Sequence, residues 1–122
     1  MGNKYFTLTG TKHYFGSDFL ESKMKLELQK EPDNEHDKEA ICVRLEGLGK
    51  IGYVANSSFT VMGECMSAGR LYDKIDDTAI GEVMYITTQG VVCKICEEEP
   101  MINYDELVEM IRKVLKDELS GN

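Results

Sequence analysis

The stretch EPDNEHDKEAICV, from Glu31 to Val43, places carboxylates at Glu31, Asp33, Glu35, Asp37 and Glu39 and then turns apolar at Ala40-Ile41. Acid at that density has three chemical uses: it can hold a cation, bond the amides of a turn, or accept a hydrogen bond from a ligand. A calcium loop starting at Asp33 needs Gly at its sixth position and Glu at its twelfth. The chain has Lys38 and Arg44 there, so the pattern fails. Pro32, Asp33 and Asn34 are turn formers, and Asx side chains bond nearby backbone amides. Glu35 and Glu39 are expected in solvent. Asp37 lies just before the chain enters the core, and two uses stay open for it: a cap on the turn, or the acid of a pocket.

The thiols are the second candidate chemistry. Cys93 and Cys96 form a C-x-x-C at the end of the apolar run VVCKIC, and Cys42 and Cys65 stand alone. A redox pair belongs at a helix start, where the dipole lowers a thiol pKa; here the motif closes a strand-like run. A zinc site needs two further ligands, and only the scattered Cys42, Cys65, His13 and His36 are available. Buried strand cysteines are the simpler reading. No metal, cofactor or redox work is expected. With no secretion signal in MGNKYFTLTG, the thiols are expected to be reduced, in a cytoplasm.

The elements that position these residues are mostly strands. KYFTLTGTKHYF, rich in Thr, Tyr and Phe, predicts a first strand from Lys4 to about Tyr14, with Gly10 as a bulge. KMKLELQK alternates Met24, Leu26 and Leu28 with polar residues, a strand with one buried face that Pro32 stops. AICVRLEG and GKIGYVA form a hairpin about Gly47-Leu48-Gly49, and TAIGEVMYITT and VVCKIC another about Gln89-Gly90. NSSFTVMGECMSAG spaces Phe59, Met62, Cys65 and Met66 as a short helix, capped by Asn56 or Ser57 and ended by Gly69. The last segment opens with Asn103 and Glu106 as a capping box. Tyr104, Leu107, Val108, Ile111, Val114, Leu115 and Leu119 then make an apolar helical stripe. That helix either packs on its own domain, the simpler expectation, or binds a protein partner. The fold class is mainly β: a small β-barrel over residues 1–96 with one mid-chain helix, followed over residues 97–122 by an acidic linker and a C-terminal amphipathic helix.

The 122 residues suit one domain, and 42% apolar with 30% charged residues exclude a disordered chain. No run approaches the length of a membrane span, so no membrane partner is expected. The formal charge is −8: residues 1–96 carry 14 acidic and 11 basic residues, and residues 97–122 carry 8 and 3. Strong non-specific nucleic-acid binding is not expected, because phosphate neutralisation needs clustered Lys and Arg. No nucleophile–base pair, P-loop or metal motif appears, so no enzyme is expected.

GTKHYF, LELQKEPDNEHDKEAICV and GKIGYVA occur in that order. Together they resemble the HIRAN domain family, whose pattern is a Gly-x-Arg-Tyr-Tyr start, then Glu-Pro-Asn-Asn-Pro-Tyr-Asp-x-x-Ala-Ile-x-Val, then Ile-Gly-Tyr-Ile-Pro-Arg. The resemblance spans roughly residues 4–96 and is to the free-standing bacterial type. It implies an OB-like barrel and a DNA-repair setting. It also implies a pocket for the 3′ end of single-stranded DNA, in which aromatic rings stack on bases, an Asp receives the 3′-hydroxyl and basic residues hold phosphates. Carried over, Lys12 takes the place of the usual Arg, His13 and His36 take aromatic positions, and Tyr14, Asn34, Asp37 and Tyr53 match directly. Ala55-Asn56 replaces Pro-Arg, so Asn56 brings no charge, and Glu35 adds a negative one. His13 and His36 also read as plain exposed polar residues. A basic groove gathering Lys12, Lys50, Arg70 and Lys74 would favour DNA. A protein-interaction module that has kept the barrel and lost DNA affinity is the alternative.

Overall fold

The computed structural model describes residues 3–96 and 104–120. Period-two apolar patterning folds as six strands: β1 (Tyr5–Thr9), β2 (Lys25–Lys30), β3 (Ile41–Leu45), β4 (Gly49–Val54), β5 (Thr78–Thr87) and β6 (Gly90–Ile95). They run β1-β4-β3-β2-β5-β6, every neighbour antiparallel, and β6 returns to β1 to close a barrel. Closure leaves no open strand edge among the described residues to recruit another chain. The interior is built from alternate residues: Phe6 and Leu8, Leu26 and Leu28, Ile41 and Val43, then Val91, Cys93 and Ile95. The expected mainly-β, OB-like barrel is the observed fold. No helix among the described residues is long and apolar enough to cross a membrane.

Three expectations are corrected. The first strand stops at Thr9 rather than reaching Tyr14: Gly10 takes a left-handed conformation (φ 76°) and starts a 3-10 turn over Thr11–His13, so it ends the strand instead of bulging it. The mid-chain helix is α1, Ala68–Tyr72, capped by the Ser67 side chain, with Gly69 inside it rather than at its end. Residues 56–67 are held as loop over β1, where Thr7 Oγ1 accepts from the Met62 amide and Tyr5 O from the Met66 amide. Gly63, at φ 52°, further breaks the helical path.

The third correction concerns α2 (Tyr104–Ser120). Its apolar stripe does not pack on the barrel: Leu107, Val108, Met110, Ile111, Val114 and Leu115 are all 38% to 65% exposed. The capping residue Asn103, the acidic linker at 97–100 and the side chains of Tyr104, Glu106 and Leu119 lie outside the described residues.

Candidate nucleic-acid interface

The acidic stretch is a closed loop between β2 and β3. Its ends are tied by the Glu31 amide donating to Ala40 O at 2.8 Å. Inside it, Asn34 Oδ1 accepts from the amides of His36 and Asp37 at 2.9 and 3.0 Å, an Asx turn. Asp37 Oδ1 accepts from the Glu39 amide at 2.9 Å, and Asp37 Oδ2 from Asn56 Nδ2 at 2.7 Å. Asp37 therefore does cap its turn, yet a carboxylate has about four lone-pair sites, and these bonds fill only part of that capacity. Asn56 Oδ1 in turn accepts from the Gly69 amide at 2.9 Å, so the loop is fastened through Asn56 to α1.

Glu31, at the mouth of the loop, joins it to β4. Tyr53 Oη donates to Glu31 Oε1 at 2.7 Å, Asn34 Nδ2 donates to the same oxygen at 3.0 Å, and Lys50 Nζ pairs with Glu31 Oε2 at 2.6 Å. Burial pushes the Glu31 carboxyl up, but the bonds from Lys50, Asn34, Tyr53 and Cys42 outweigh it and hold the pKa down at about 2. The same cluster raises Lys50, chiefly through its bond to Glu31, and burial raises Tyr53. Lys50 also donates to Tyr53 Oη at 2.9 Å, which fixes the ring.

The ring of Tyr53 meets that of Tyr14, with centroids 6.5 Å apart and planes tilted by 48°. Tyr14 is delivered by the 3-10 turn that follows β1, and the end of β1 lies close on β4 because Gly52 has no side chain: a Cβ there would lie 2.6 Å from Thr9 O and 2.8 Å from Leu8 Cδ1. Lys12, His13 and Tyr14 are exposed on this turn, and Phe15 follows with half its surface in solvent.

A continuous belt thus runs Asn56–Asp37, then Asn34–Glu31–Tyr53–Tyr14, and brings together five of the residues singled out from sequence. Lys12, His13 and His36 lie exposed beside it on the same two loops, their side chains held by no hydrogen bond or ion pair among the described residues. The basic groove that would favour DNA is not gathered. Lys50 is neutralised by Glu31, and Lys74 lines a different open groove of about 1120 Å³ with Lys25, Glu27 and Glu82. Sequence reasoning treated Glu31 as one acid among five; its partners lie 19 and 22 residues on, at Lys50 and Tyr53, and no local pattern shows them. Arg70 follows Gly69, the residue that Asn56 holds, so α1 presents an exposed cation next to the Asp37 end of the belt.

The two thiols of the C-x-x-C face opposite ways. Cys93 is buried, its thiol pushed up to about 12 by burial and then by nearby Cys65. Cys96 faces outward, within 3.5 Å of Lys25 Nζ. Strand geometry separates the pair, and no cluster with metal-binding geometry occurs among the described residues.

Similarity to known proteins follows the same outline. Among curated proteins none matches the chain. Two solved structures share its fold. The HIRAN domain of human HLTF aligns at 20% identity over 77% of this chain and 74% of that one, with a TM-score of 0.54. A protein from Lactobacillus plantarum aligns at 21% identity over 75% and 88%, with a TM-score of 0.53. The family profile of the HIRAN domain matches residues 1–82, a span that holds the belt entire, from Tyr14 to Asn56: the chain belongs to the HIRAN domain family.

Proposed function

We propose that the chain is a nucleic-acid-binding module, not a catalyst, and that it takes the 3′ end of a single DNA strand along the Tyr14–Tyr53–Asp37 belt. The observation that carries this is one hydrogen-bonded network joining the Tyr53 ring to Asp37, with the Tyr14 ring packed against Tyr53 and both ends open to solvent. Exposed aromatic faces stack on bases at about 1–3 kcal/mol each. The free lone pairs of Asp37 suit a terminal hydroxyl, since a hydrogen bond to a carboxylate is charge-assisted. Lys12 and Arg70 supply phosphate contacts at the two ends, Arg70 standing in for the cation that Asn56 does not bring. His13 and His36 offer further ring faces.

Fluorescence anisotropy with single strands bearing a 3′-hydroxyl or a 3′-phosphate tests this. The free end binds more tightly, and Asp37→Ala erases the preference at a cost of about 1.5–3 kcal/mol. Lys12→Ala weakens both strands alike and lowers the salt dependence by about one phosphate contact. Affinity is modest, because the molecule is acidic. No binding to any strand at low salt, where charge is least screened, overturns the proposal in favour of a protein-interaction module.

A further inference from the structure

We propose that α2 is a self-association element, pairing antiparallel with α2 of a second copy of this chain about a two-fold axis at Ile111. Leu107, Val108, Ile111, Val114 and Leu115 form a stripe that stays open to solvent. A 17-residue helix spans about 25 Å. At that length a helix is marginal in water unless its apolar face is covered.

The stripe is complementary to itself when reversed. A two-fold axis at Ile111 sets Ile111 against its own copy, Leu107 beside Val114 and Val108 beside Leu115 of the second copy, so each apolar residue meets another. The flanks agree as well. Asp105 and Lys116 are eleven residues apart, about three turns, and so share one edge of the stripe. Reversal brings Asp105 within about one residue's rise of Lys116 of the second copy, and the two-fold axis makes that pair twice. On the other edge Met110, itself exposed, meets Met110 of the second copy.

A parallel pair is disfavoured. It sets Glu118, seven residues past Ile111 and on the same stripe, against its own copy. Reversal separates the two glutamates and also opposes the helix dipoles. One pair of helices this short sits at the low end of stable interface sizes, so the association is weak and concentration-dependent. It is independent of DNA binding, because the belt lies on the barrel.

Sedimentation of the full chain over a range of concentrations tests the proposal. The mass should rise from monomer to dimer, and Ile111→Glu should hold the chain monomeric at concentrations where the parent is dimeric. Asp105→Lys and Lys116→Asp should each weaken the homodimer about three- to tenfold, since each sets like charges together. An equimolar mixture of those two variants should recover the parent's dimer, because the heterodimer restores both ion pairs. A chain that is monomeric throughout, a dimer indifferent to Ile111→Glu, or no recovery on mixing overturns it.

Discussion

Asn56 and Glu31 show how two side chains turn an acidic loop into a defined surface. Asn56 adds no charge, but its amide bridges the Asp37 carboxylate to the start of α1, so Asp37 is held in one orientation. Glu31 is the hub that holds the Tyr53 ring and the Asn34 turn together. Its carboxyl titrates at about 2 in the fold against an ordinary 4.5, so the folded state favours the ionised form. The stability that this supplies is complete above pH 4.5 and is lost as the pH falls toward 2. Glu31→Gln should therefore destabilise the barrel by about 1–2 kcal/mol at pH 7, the worth of a charge-assisted bond in a sheltered site. In urea unfolding followed through the acid range, the gap between parent and variant should close below pH 4.5; a gap that persists would show that the loss comes from packing instead.

At the level of elements, sequence patterning reports what is local. The strands were legible because Leu26-Leu28 and Val91-Cys93-Ile95 alternate with polar neighbours and one face of each is buried. The helix between β4 and β5 was not, because Met62 and Met66 are claimed by Thr7 and Tyr5 more than fifty residues earlier, contacts that override helical spacing. The acidic loop was legible through its Asx chemistry at Asn34, whereas the tie from Glu31 to Lys50 and Tyr53 depends on how β4 is registered against β3. The same close packing explains the Gly in IGY. A methyl group at Gly52 runs into the backbone of β1, so Gly52→Ala should cost about 1–3 kcal/mol by overpacking. It should also move the Tyr14 turn off Tyr53. Thermal melts and the fluorescence of the tyrosines check both, and an unchanged melting temperature would mean that β1 yields freely.

For the whole molecule, the charge is divided between a nearly balanced barrel and an acidic terminal segment. Added salt should weaken DNA binding less steeply than in a basic domain, because few cations face the strand. The barrel itself is unevenly closed. β1 meets β6 over four residue pairs but meets β4 over only Leu8–Val54 and Thr9–Tyr53. Transient opening should begin at this short seam, since opening there breaks the fewest ladder bonds. In hydrogen exchange the Ala55 amide, bonded to Thr7 O across the seam, should exchange well before that of Val43 in the β2–β3 ladder; equal rates would mean that the barrel opens only as a whole. Tyr14 and Tyr53 stand on the two lips of this seam. A strand end held between them would staple the barrel shut, so occupancy of the site should be readable as slowed exchange at Ala55.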